Sequence, residues 1–234
     1  MPRAILVTLG ARDRLLADGV AMLAAHCNVS ADAVMRLDNL AEHALHPDDG
    51  VIAACFANET SFVVAASRPR TVRALLTFVG VACDDLDIEW LALPFDREAL
   101  KREYGVPWYP VIDRTRCSGC GTCHDYCLFS VYAREPRATA AERVRVAAPL
   151  NCKTGCPACA RICPEAALIF PFCAEAELNG EIEAPQRRSS DALADVLGDD
   201  PMRVLAERRA KRKLIDQEKF AQAEEDRIRY SGIL

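Results

Sequence analysis

The first 95 residues alternate short, continuous apolar runs with longer stretches whose apolar positions recur at helical spacing. "AILVTLG" (4–10) predicts a buried strand, and "ARDRLLADGVAMLAAHC" (11–27), with Leu15, Leu16, Val20, Leu23 and Ala24 on one period, predicts a helix. "SADAVMRLDNLAEHAL" (30–45) continues the helical period behind Ser30, a residue type that caps helix starts by accepting a backbone N–H. "GVIAACFA" (50–57) and "SFVVAAS" (61–67) read as two buried strands around "NET", "TVRALLTFVGV" (71–81) as a helix, and "DIEWLAL" (87–93) as a strand ending before Pro94. The predicted order is strand, helix, helix, strand, strand, helix, strand. "FDREALKREYGVPWYP" (95–110) predicts a short helix stopped at Gly105 and a proline-rich linker.

From 111 to about 172 the pattern shortens. "PVIDRTRC" and "ALIFP" read as strands, "VYARE" and "RVRVAAP" as a hairpin, and the chain between them as cysteine-rich loops. Beyond 175 come a polar loop and two predicted helices, "SDALADVLG" and "DPMRVLAERRAKRKLIDQEKFAQAEEDRI". The expected fold class is α+β. An N-terminal α/β domain spans 1–105, a central domain of short hairpins and helices spans 106–175, and a helical tail spans 176–234. The tail's apolar stripe is thin, so it is expected to dock on a partner or on its own domain.

Composition narrows the function classes. A chain of 234 residues, 51% hydrophobic, can bury one sizeable core or two smaller ones. A net charge of -5 and 6% aromatic content argue against a nucleic-acid-binding surface, and the basic run "ERRAKRK" is soon followed by "EEDR". No stretch reaches the roughly 18 apolar residues of a membrane span, and the apolar run in "MPRAILVTLGARDR" is too brief for a signal peptide. A cytoplasmic protein is expected. In a reducing compartment twelve cysteines argue for metal ligation or redox chemistry over disulfides.

Cys27, Cys55 and Cys83 lie singly and read as core residues, whereas nine cysteines fall between 117 and 173. They form two blocks, Cys117-x2-Cys120-x2-Cys123-x3-Cys127 and Cys152-x3-Cys156-x2-Cys159-x3-Cys163-Pro164. A cubane iron–sulfur cluster needs four converging thiolates, and one tight loop supplies three without strain, which accounts for paired blocks. Two other chemistries share parts of the spacing. Structural zinc uses Cys-x2-Cys pairs, but usually joined by a longer loop. Cys152-x3-Cys156-x2-Cys159 also has the spacing of radical S-adenosylmethionine enzymes, but Ala158 stands where an aromatic residue is usual, and too little chain follows for a partial barrel.

Residues 111–172 resemble a bacterial-type ferredoxin domain with two [4Fe–4S] clusters, through "CSGCGTC" and "CARICPEAAL". The resemblance implies Cys117, Cys120, Cys123 and Cys163 on one cluster, and Cys152, Cys156, Cys159 and Cys127 on the other. This chain departs from the family pattern in three places. Leu128 stands where proline is usual after the fourth cysteine, the second block has an extra residue between its first two cysteines, and residues 128–151 form a longer connection whose "AREPRATAAER" tip is expected to be an exposed insertion. Gly119, Gly121 and Gly155 would permit turns that aim N–H groups at sulfur, and Val131 and Leu168 would supply apolar cover. His124 reads as a loop residue, Tyr126 as packing over a cluster, and Cys173 as a small buried residue.

The N-terminal domain has neither G-x-G-x-x-G nor a P-loop, and a phosphate site at "TLGARDR" would rest on one glycine. Arg68, Arg70 and Arg73 read as a solvated turn, and His26, His43 and His46 as surface or satisfied core positions. The expected function is electron transfer through two [4Fe–4S] clusters, as a ferredoxin-like subunit or a dedicated donor or acceptor for a larger oxidoreductase. The alternatives are a stand-alone iron–sulfur oxidoreductase with a small-molecule site in the N-terminal domain, and a redox-sensing regulator.

Overall fold

The computed structural model describes residues 2–10, 13–46, 50–101, 107–140, 142–186, 194–201, 203–204 and 206–207. The fold is mixed α/β around a four-stranded parallel sheet of order β2-β1-β3-β4, formed by β1 (Arg3–Val7), β2 (Met35–Leu37), β3 (Ser61–Ala66) and β4 (Asp87–Ala92). The two continuous apolar runs, "AILV" and "FVVAA", become the central strands, because a parallel strand covered on both faces has no polar side. On one face Leu23 and Ala24 of α1 (Gly19–Cys27) pack on Ala4, Leu6, Val63 and Ala65. On the other, α2 (Leu40–His43), α3 (Val51–Phe56) and α4 (Pro69–Phe78) cover Ile5, Val7, Phe62 and Val64.

Three local expectations are corrected. The helix expected over 30–45 is a short 3-10 turn, then β2, then α2. Met35, Arg36 and Leu37 pair with Ile5, Leu6 and Val7, so the open edge of β1 overrides the local helical period. The strand expected at 50–57 is α3, in which Ile52 and Cys55, three apart, are buried while Ala53 and Ala54 face out. A short apolar run does not separate a strand from a buried helical turn. The helix expected over 11–27 starts only at Gly19, because the Asp18 side chain accepts from the Val20 and Ala21 N–H groups at 3.1 Å and caps the first turn.

The second half adds two small antiparallel sheets. β5 (Val111–Ile112) pairs with β8 (Leu168–Ile169), and β6 (Tyr132–Arg134) pairs with β7 (Val144–Val146) as the expected hairpin. Between them lie two short helices, α5 (Thr122–Tyr126) and α6 (Ala158–Arg161), where the sequence suggested loops. Tyr109, Val111, Ile169 and Phe172 belong to the same buried core as β1, β3 and α4, so the core runs across residue 105. Of the helix expected after Pro94, residues 97–101 form a 3-10 turn, and its stop at Gly105 lies outside the described residues. The expected tail is helical at 194–197, where Val196 and Leu197 pack against Tyr126 and Ile162; most of its longer helix lies outside the described residues. Among the described residues no helix is long and apolar enough to cross a membrane.

The two halves are joined at a buried ion pair. In this strand order the crevice at the carboxyl ends of β1 and β3 is where open α/β sheets usually admit a ligand. Here Arg68, 1% exposed, lies beside Asp13, and its guanidinium donates to the Pro171 carbonyl. Asp13 also accepts from the Leu9 N–H at 2.8 Å and from the Ser67 hydroxyl. A Cβ on Gly10 would stand 2.9 Å from the Phe172 ring, so the chain after β8 fills the crevice mouth. The arginines read as a solvated turn are therefore largely structural. Arg70 bonds Asp113 and the Ala166 carbonyl, each at 2.7 Å, and Arg73, paired with Asp84, is the most exposed of the three.

Arg68→Met leaves the Asp13 carboxylate buried without its cation. It is expected to lower unfolding free energy by about 3 kcal/mol in a urea titration. Arg73→Met, at an exposed pair, is expected to cost no more than about 1 kcal/mol.

Candidate metal centre

The eight block cysteines line two neighbouring cavities, and each cavity draws on both blocks. One is lined by Cys117, Cys120, Cys123 and Cys163. The other is lined by Cys127, Cys152, Cys156 and Cys159. The crossing follows from the helices. α5 carries Cys123 at its start and Cys127 at its C-cap, so the two sulfurs leave opposite ends of one short helix. In the same way α6 carries Cys159, with Cys163 two residues beyond its end. Because α5 and α6 pack on each other, the last cysteine of each block is delivered to the other block's cavity.

The cavities differ in how they are closed. The first is narrow, about 20 Å³, with exposed Cys120 in its lining. Its loop turns at Gly119 and Gly121, with φ of +69° and +81°. A Cβ on Gly119 would lie 1.8 Å from the Ala140 carbonyl oxygen, and one on Gly121 would lie 1.7 Å from the Arg134 guanidinium. Arg134 also donates to the Cys120 carbonyl at 3.1 Å. The 135–140 tip is largely exposed, as expected of an insertion, yet its base covers the first block's loop. The second cavity is wider, about 450 Å³, with Tyr126, Leu128, Val131 and Tyr132 among its walls. Two departures from the ferredoxin pattern fall on this cavity. Leu128 follows its Cys127, and the extra residue lies in the Lys153–Gly155 loop at its edge. Leu168 lines the narrower cavity and Val131 the wider one, each buried.

Burial pushes several of these thiols away from ionisation. Cys152 rises to about 12, first through burial and then through the charges of Cys127 and Cys156. Burial also raises Cys123 well above the usual thiol range, and the neighbouring Cys159, Cys163, Cys120 and Cys117 add to it. Cys163 rises by burial, partly offset by the Ala167 and Glu165 N–H groups, with Ala167 N at 3.4 Å from its sulfur. Burial raises Cys159 too, against the Tyr132 hydroxyl, which donates to its sulfur at 3.0 Å. Thiols held this way favour an occupant that supplies positive charge, and binding such an occupant releases protons.

Zinc needs four ligands about 2.0 to 2.3 Å from one point. Among the described residues no group of three or more His, Cys, Asp or Glu side chains is gathered to hold a single metal ion. The thiols line two cavities, four in each, and four thiolates are a donor set that could hold a [4Fe–4S] cluster.

Comparison with protein-family models, curated proteins and solved structures finds no match for this chain.

The other cysteines lie outside both rings. Cys55 and Cys83 are buried in the main core, and Cys27 packs partly buried against the other face of the sheet. Cys173 is buried beside Asn179, which donates to its carbonyl. His124, in α5, is half-buried with its Nδ1 3.0 Å from Asp125. Tyr126 is buried and lines the wider cavity. Two contacts were missed from sequence, the Tyr132 hydroxyl on Cys159 and Arg134 on the first loop. Val131 and Tyr132, adjacent in the chain, are both buried, so alternation does not single out Tyr132, and nothing local shows which sulfur it reaches.

In the reduced protein free of metal, exposed Cys120 is expected to be alkylated by iodoacetamide at pH 8 at least about tenfold faster than buried Cys159, as read by mass spectrometry. Each unit of raised pKa removes a factor of about ten in thiolate.

Proposed function

We propose that the protein carries electrons through two [4Fe–4S] clusters, as a ferredoxin-like subunit or a dedicated donor or acceptor for a larger oxidoreductase. The observation that supports this most is the sorting of eight cysteines into two sets, each combining three from one block with one from the other. Cys117, Cys120, Cys123 and Cys163 would hold one cluster, and Cys127, Cys152, Cys156 and Cys159 the other. A bound [4Fe–4S] cluster takes up or gives up one electron. The chain's own part is to hold the thiolates, exclude water and present one side to a partner. The pairing of β5 with β8 and of β6 with β7 around two short cysteine-bearing helices agrees with a ferredoxin-like arrangement.

The alternative that places a small-molecule site in the N-terminal domain has less support. The crevice where such a ligand would enter is filled by Arg68, Asp13 and Phe172. The N-terminal half then reads as a scaffold that holds the cysteine-bearing half and enlarges the surface open to a partner in the cytoplasm.

Anaerobically purified protein is expected to contain about eight iron and eight acid-labile sulfide per chain. Cys163→Ala is expected to lose the first-block cluster and Cys127→Ala the second-block cluster, each leaving about four iron. Cys83→Ala should leave the iron content unchanged. Near-zero iron with zinc in its place would overturn the reading, and retention of the first-block cluster by Cys163→Ala would overturn the ligand assignment.

A further inference from the structure

Tyr132 is the inward residue of β6, only 3% exposed, and its place is set by pairing with Val146 across the hairpin. Its hydroxyl donates to the Cys159 sulfur at 3.0 Å across a separation of 27 residues. Near the sulfurs of the narrower cavity the donors are the backbone N–H groups of Glu165 and Ala167 at Cys163 and a hydroxyl at a sulfur exposed to solvent. The Ala167 backbone N–H lies 3.4 Å from Cys163, and the Thr122 hydroxyl lies 3.4 Å from exposed Cys120. Cys123, the third cysteine of the first block and so the counterpart of Cys159, meets no such hydroxyl among the described residues. The phenol is therefore an asymmetric feature built into one ring of thiols.

We propose that the Tyr132 hydroxyl is a tuning residue for the second-block cluster, raising its reduction potential through the bond to Cys159 while leaving the first-block cluster unchanged. The proposal rests on the two-cluster reading above. A hydrogen bond to a ligand sulfur strengthens as that sulfur gains negative charge, so it favours the state with one more electron. Burial keeps water from replacing the donor, and the low local dielectric enlarges the effect. Tyr132 forms no bond to the cluster and moves no proton; the one-electron change involves only the cluster and the redox partner.

The test uses the full-length holoprotein with spectroelectrochemical titration followed by electron paramagnetic resonance. Tyr132→Phe is expected to keep about eight iron per chain. It should lower one midpoint potential by roughly tenfold in the one-electron equilibrium constant, or 59 mV. Made in the Cys163→Ala background, where only the second-block cluster is expected, the substitution should give the same shift. In the Cys127→Ala background it should give none. Should Tyr132→Phe lose iron, uniform 3-fluorotyrosine labelling of the wild-type protein replaces it, because a more acidic phenol is a stronger donor and is expected to raise the same potential. Unchanged potentials at full iron content, or a shift confined to the first-block cluster, overturn the tuning role alone. A wild-type protein without iron overturns the two-cluster reading and the tuning role together.

Discussion

The buried pair of Arg68 and Asp13 is the contact on which the arrangement of the two halves depends. A guanidinium taken out of water is costly unless its charge is matched, and among the described residues Nε of Arg68 has no hydrogen-bond partner. Asp13, from the loop after β1, supplies the charge, and the Pro171 carbonyl, from the chain after β8, accepts a hydrogen bond. The same contact thus closes the crevice of the parallel sheet and fixes the cysteine-bearing half against it. Phe172 against Gly10 and the Arg70 bonds to Asp113 and Ala166 extend the junction on either side. With the crevice filled, the sheet supports the cysteine-bearing half.

Those cysteines carry their own constraint. Burial disfavours the thiolates of Cys123 and Cys152, and the charge of neighbouring thiolates adds to it. The chain meets this geometrically by placing consecutive cysteines at opposite ends of α5, and likewise by following α6 with Cys163. The two rings are not equivalent. The hairpin and Arg134 close over the first, whereas the second keeps the wider space, the unusual Leu128 and the longer loop. The second space is the wider of the two, and the Tyr132 hydroxyl adds a chemical difference to the steric one.

Where local reading failed, tertiary contacts had overruled a local signal. "MRL" has a helical neighbourhood but lies beside an unpaired strand edge, and the hydrogen bonds of β1 claim it. "VIAACF" is apolar enough for a strand, yet its buried positions are three apart and it coils against the sheet face. Arg68 looks like any surface arginine in "ASRPR", and its burial depends on Pro171, 103 residues away.

The central strands, the cysteine blocks and the hairpin between them were legible from local spacing alone: continuous apolar runs, thiols two or three residues apart, alternating faces. Packing settles which cysteines share a cavity, which cavity is narrow, what fills the sheet's crevice and which sulfur receives the Tyr132 hydroxyl. These are contacts between segments distant in the chain. Their geometry follows from how helices and strands pack, which no local pattern of residues encodes.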